Sequence, residues 1–168
     1  MKIITTTERL TLREIGPGDA AFTNQLLNSP GFLQYIGDRG VRTDEDAARF
    51  IDEKYSAAYT QHGYGLWAVE THEALPVGIC GFVKRDHFEL PDIGFAFLPE
   101  HARQGYGYES AAAAMEYGRK HLGFSKVLAI TSLDNAASIG LLEKLGFKFE
   151  SLTETPTGET IRLFSFTY

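Results

Sequence analysis

From Asp92 to Leu122 the chain passes from a strand-like segment, Asp92–Leu98, through the run Pro99 to Gln104 and the glycines Gly105 and Gly107, into an alanine-rich helix. No other stretch constrains the fold as tightly. Gly105 and Gly107 carry no Cβ, so a ligand can approach the main chain closely there. The N–H groups from Arg103 to Tyr108 stand at a helix start, where the first amides have no intrahelical acceptor and the dipole is positive. That combination suits an anion such as pyrophosphate, and Arg103 adds charge. Many helices also begin with glycine as a plain tight turn, so this segment alone does not name a ligand.

The flanking pattern supplies the architecture. Leu66–Thr71, Val77–Arg85 and Asp92–Leu98 are strand-like runs separated by short turns, which predicts antiparallel hairpins. Upstream, Glu8 to Glu14 alternates, with Leu10 and Leu12 on one face, and reads as the first strand. Asp19 is placed to cap a helix reaching Leu27, and the Ser29-Pro30-Gly31 run stops it. Phe32 to Ile36 reads as a short helix. Thr43 with Asp46 resembles a capping box opening a helix to about Gln61. Downstream, Arg119, Lys120 and His121 sit in a last helical turn, where cations suit the dipole. Val127–Ser132, Lys148–Thr153 and Thr160–Thr167 read as strands, and Ala136–Leu145 as a helix ended by Gly146. With no repeat or linker, one domain over residues 1–168 is expected.

Composition removes several classes. The net charge of −6 argues against generic nucleic-acid binding. No apolar run approaches the roughly 20 residues that span a bilayer, and the first residues do not read as a secretory signal. The lone Cys80 excludes an internal disulfide and fits a reducing, cytoplasmic setting. The five histidines share no ligand spacing, so no metal is expected.

Two other phosphate loops fail the test. The P-loop pattern is absent. Gly105 to Ser110 misses the last glycine of the dinucleotide fingerprint and is separated from its strand by six residues. The run FLPEHARQGYGYES, Phe97 to Ser110, resembles motif A of the GNAT N-acetyltransferase family. The run DNAASIGLLEKLGF, Asp134 to Phe147, is similar to motif B. The opening ERLTLR, Glu8 to Arg13, and the strand DIGF, Asp92 to Phe95, resemble the ribosomal-protein N-terminal acetyltransferase subgroup.

That resemblance implies an α/β (α+β) fold. Its mixed, mostly antiparallel sheet is splayed between the fourth and fifth strands, flanked by helices, and takes acetyl-CoA as acetyl donor in the opening. It implies that the main chain of Phe97 and Leu98 pairs with the pantetheine arm. The amides of Arg103, Gln104, Gly105, Tyr106, Gly107 and Tyr108 hold the pyrophosphate, Asn135 meets the pantetheine, and Ser138 lies near the thioester sulfur. The sequence departs from the family at Ala102, where Arg or Gln is common, at Arg103, where glycine is common, and at Leu142, where many members carry a proton-donating tyrosine. Ser138 or water then supplies the proton, or the thiolate leaves without one.

The reaction implied is direct attack of a neutral amine on the thioester in a ternary complex, with an N–H near Phe97 stabilising the oxyanion. Asp92 is the candidate base, acting through water; Glu89 and His87 are weaker choices. Glu109 reads as a dipole partner in the first helical turn. Cys80 reads as structural. The Gln34 to Arg39 loop and the Phe88 to Asp92 turn are expected on the acceptor side. A peptide or protein α-amine is the expected acceptor. Small amines (a polyamine, an aminoglycoside, an amino acid) and a non-catalytic acyl-CoA binding module are the alternatives. No membrane or direct nucleic-acid partner is expected, and the chain is expected as a monomer or homodimer.

Overall fold

The computed structural model describes residues 2–168. Among them one sheet contains β1 (Ile3–Thr6), β2 (Leu10–Arg13), β3 (Leu66–Thr71), β4 (Pro76–Val83), β5 (Asp92–Phe97), β6 (Lys126–Thr131), β7 (Lys148–Glu154) and β8 (Thr160–Thr167). The spatial order is β1-β2-β3-β4-β5-β6-β8-β7. The helices are α1 (Ala20–Leu27), α2 (Pro30–Tyr35), α3 (Asp44–Phe50), α4 (Ala57–His62), α5 (Tyr106–His121) and α6 (Ala136–Leu145).

Every neighbouring pair is antiparallel except β5 and β6, which run parallel and share one register pair, Asp92 with Leu128. A parallel pair needs a crossover, and α5 supplies it. Beyond Asp92 the two strands no longer pair, which leaves the sheet open toward their C-terminal ends. This is the splay expected between the fourth and fifth predicted strands; the additional strand β1 moves the numbering by one.

Alternation along the strands sends side chains to two cores. Trp67, Val69, Cys80, Phe82, Ile93, Val127 and Ala129 pack with Ala111, Ala114 and Met115 of α5 and Leu142 of α6. On the other face Ala68, Ile79, Ala96 and Leu98 pack with Leu26, Leu27, Ala47, Ile51 and Tyr55. Small residues let α5 lie close to the sheet: a Cβ on Gly118 would meet Phe124 at 2.9 Å and Phe82 at 3.1 Å.

Local expectations yield in four places. Asp19 does not cap α1. Its carboxylate instead accepts from Arg13 Nη1 at 2.9 Å, Arg13 Nη2 at 2.8 Å and the Gly16 N–H at 2.8 Å. Arg13 is buried and also meets Glu70 at 3.0 Å. A buried guanidinium left unpaired would be costly, so this long-range demand outranks the cap. Pro30 does not end a helix but begins α2, where its missing N–H costs nothing. Thr43 Oγ1 does cap Asp46 N at 3.0 Å, but the Asp46 carboxylate divides its bonds, also accepting from Arg42 N–H at 3.0 Å. Between α3 and α4 the helix passes through a π turn, Ile51–Ser56.

Candidate active site

The wall of the opening is the free side of β5. Ala96 pairs with Ile79 of β4, Leu98 N–H donates to Val77 O of β4 at 2.9 Å, and Leu98 O accepts from His101 N–H at 3.0 Å. In an antiparallel ladder the intervening residues point the other way. Phe95 and Phe97 therefore present N–H and C=O toward the gap from which β6 has diverged. Of the two residues expected to pair with a pantetheine arm, Phe97 faces the gap and Leu98 is engaged within the chain. Phe95 has the same outlook as Phe97; the two-residue period of the strand could have identified it.

After β5 a 3-10 turn, Pro99–His101, leads to the glycine loop. Arg103 has φ 60° and Gly105 has φ 80°, both left-handed. The position where glycine is common in the resemblance is thus one that favours glycine, and Arg103 adopts it nonetheless. Gly105 is the N-cap of α5, and no side chain caps that end. The N–H groups of Tyr106, Gly107 and Tyr108 precede the first intrahelical bond, Glu109 N–H to Gly105 O at 3.1 Å. A Cβ on Gly107 would lie 3.2 Å from Leu141 and 3.8 Å from Phe97, so this glycine brings α5, α6 and the end of β5 together. Tyr106 lies under the Arg9 guanidinium, 4.8 Å from its ring centre, and Tyr108 lies 4.4 Å from Lys144 Nζ.

The opposite wall is the end of β6 and the start of α6. Asn135 Oδ1 caps α6 by accepting from Ser138 N–H at 3.3 Å, which brings these two residues together and leaves the Asn135 amide nitrogen for another partner. Thr131 Oγ1 and Ser132 Oγ are buried and find no hydrogen-bond partner among the described residues. Orphaned hydroxyls are rare in a folded chain, and these two belong to the end of β6 and the residue after it. The unpaired edge of Phe95 and Phe97 and the amide of Asn135 are the features suited to the amide-bearing arm of coenzyme A. Leu142 is fully buried in the core.

Asp92 begins β5 and is 1% exposed. Arg85 holds it through Nε at 2.8 Å and Nη2 at 3.3 Å. Burial pushes the Asp92 carboxyl above the usual range, against the attraction and hydrogen bond of Arg85 and the influence of His87. Arg85 was not foreseen as the partner of Asp92, although the expected hairpin of Val77–Arg85 and Asp92–Leu98 already set the two at adjoining strand ends. Cys80 is fully buried, and burial pushes its thiol up to about 12, so it is a poor nucleophile.

The sequence model of the acetyltransferase (GNAT) domain family matches residues 9–148. The N-acetyltransferase YoaA of Bacillus subtilis is 30% identical over 149 residues, which is 87% of this chain and 83% of that protein. The acetyltransferase from Agrobacterium tumefaciens superposes with a TM-score of 0.84 at 19% identity, covering 100% of this chain and 95% of that one. A ribosomal α-N-protein acetyltransferase solved in complex with coenzyme A gives a TM-score of 0.75 at 15% identity, covering 99% of this chain and 98% of that one. At such identities the structural likenesses speak for the fold. No helix of the described residues is long and apolar enough to cross a membrane.

Proposed function

This chain belongs to the GNAT acetyltransferase family, and on that premise we propose that it transfers an acetyl group from acetyl-CoA to an α-amine at the end of a peptide or protein. The observation that carries the reading is the gap between β5 and β6, edged by the unpaired main chain of Phe95 and Phe97 and ending at the glycine loop. Phe97 N–H and C=O orient the pantetheine arm, with Asn135, Thr131 and Ser132 on the far wall. The amides from Arg103 to Tyr108 take the pyrophosphate, with Gln104 and Gly105 at the bend. The neutral amine attacks the thioester carbon, the C–N bond forms, and the C–S bond breaks. The thiolate leaves, and the proton lost by the amine passes to water near Asp92.

The acceptor class follows from the cost of a neutral amine. At pH near 7.5 an α-amine with a pKa of about 8 needs roughly 1 kcal/mol or less, whereas a lysine needs about 4 kcal/mol. Asp92 is buried against Arg85 and is poorly placed to strip a lysine ammonium. The negative net charge favours cationic acceptors by steering. The end of α2 from Gln34, with the segment running on to Arg39, and the turn from Phe88 to Asp92 form the acceptor side in this reading.

The test uses paired peptides with acetyl-CoA as donor. One has a free N-terminus and no lysine; the other has a blocked N-terminus and one lysine. Faster turnover of the free α-amine is expected. A faster lysine peptide would overturn the acceptor class, and turnover of a polyamine alone would move the acceptor to small amines.

A further inference from the structure

We propose that Arg9 and Glu109 form a clamp that aims the Gly105 amide into the phosphate-binding loop. The inference rests on reading that loop as the pyrophosphate site. Glu109, in the first turn of α5, accepts Thr7 Oγ1 at 2.5 Å and Arg9 N–H at 3.0 Å on one oxygen, and Arg9 Nε at 2.6 Å on the other. All three donors come from the turn between β1 and β2, about a hundred residues away. The same Arg9 then donates through Nη1 to Gln104 O at 2.8 Å. Its Nη2 lies beside Gly105, where a Cβ would come within 3.1 Å, and its guanidinium covers Tyr106.

The consequence is geometric. A trans peptide is planar, and its C=O and N–H point in opposite directions. Holding the Gln104 carbonyl on Arg9 turns the Gly105 N–H to the other side of the loop. Without that hold, the Gln104–Gly105 peptide is poorly restrained. Gly105 tolerates either sign of φ, so the peptide can rotate and present a carbonyl oxygen where an anion must sit. Arg9 and Glu109 cancel in charge, so the pair contributes orientation and not attraction. Glu109 is 20% exposed and Arg9 46%, which leaves the clamp partly shielded from water. Arg9 is therefore a positioning residue that acts through a peptide group.

The experiment compares binding of acetyl-CoA with binding of S-acetyl-pantetheine, which lacks the pyrophosphate, in the full chain and its variants. Losing one charge-assisted hydrogen bond predicts roughly tenfold weaker acetyl-CoA binding in Arg9→Ala, with S-acetyl-pantetheine unchanged. In turnover the KM for acetyl-CoA rises and kcat at saturation holds. Arg9→Lys recovers part of the loss. Glu109→Gln, which keeps the shape and is assayed well below its melting temperature, weakens acetyl-CoA binding in the same donor-selective way. The double variant is no worse than Arg9→Ala, because both residues act through one peptide. Equal weakening of both donors, together with a lowered melting temperature, would reduce the pair to a structural brace and overturn the proposal. So would unchanged acetyl-CoA binding in Arg9→Ala. If the parent protein itself shows no preference for acetyl-CoA over S-acetyl-pantetheine, the loop is not the pyrophosphate site, and the clamp falls with it.

Discussion

Arg85 grips Asp92 across the β4–β5 hairpin, Nε to Oδ2 at 2.8 Å, at the point where β5 and β6 last pair. The ion pair thus sits at the vertex of the opening. An essential general base contributes typically 10²- to 10⁴-fold. A carboxylate already committed to a guanidinium should contribute less. Asp92→Asn is expected to lower kcat about tenfold and to leave acetyl-CoA binding intact, measured by steady-state kinetics and calorimetry. A loss of several thousandfold would establish Asp92 as the base outright.

Arg103 occupies left-handed backbone at φ 60°, which costs an L-residue about 1–2 kcal/mol. Glycine removes that strain but loosens the unfolded chain by about 0.4–1 kcal/mol. Arg103→Gly should therefore raise the melting temperature slightly while raising the KM for acetyl-CoA, because a cation beside the phosphates is lost. A lower KM would show that the side chain obstructs the loop.

Leu142 fills the core at the position where the motif resemblance leads one to expect tyrosine. Leu142→Tyr should overpack that site and cost about 1–3 kcal/mol, seen as a lower urea midpoint. No gain in kcat is expected, since the thiolate leaves unaided in the mechanism above. A clear increase in kcat would show that proton donation limits the reaction.

Glu109 offers a pH test. Partial burial alone would raise its carboxyl, but hydrogen bonds from Thr7 and Arg9 outweigh that and hold it below its ordinary 4.5. A depressed folded pKa contributes stability that is present above the unfolded value and is lost as pH falls through the folded one. The melting-temperature gap between the parent and Glu109→Gln should therefore be full at neutral pH, shrink below about 4.5, and close in stronger acid. A gap independent of pH would separate its origin from the ionised carboxylate.

Segments governed by local pattern were legible in the sequence. Leu66–Thr71, Ala136–Leu145 and Thr160–Thr167 occupy the same residues in the structure, because alternation, an Asn cap and terminal glycine act at short range. The glycine loop was legible for the same reason. β1 was not: Ile3 is 61% exposed, the strand has four residues, and its order comes from pairing with β2. Asp19 and Glu109 were both read as local helix partners. Each is claimed by an arginine that the fold brings to it, Arg13 and Arg9, and no residue count along the chain discloses that. Leu98 was read with Phe97, yet the choice between them depends on which strand takes each amide.

The single register pair between β5 and β6 makes the sheet mechanically two leaves, β1–β5 and β6–β8, bound at one edge like a partly opened book. The spine is short, so spreading the leaves disturbs few backbone bonds. Whatever lies along Phe95 and Phe97 occupies, like a bookmark, the space that the sheet itself leaves between the pages. The core beneath, shared by Trp67 and Phe82 of one leaf with Val127 and Phe164 of the other, is the binding that keeps the pages at a fixed angle while their upper edges stand apart.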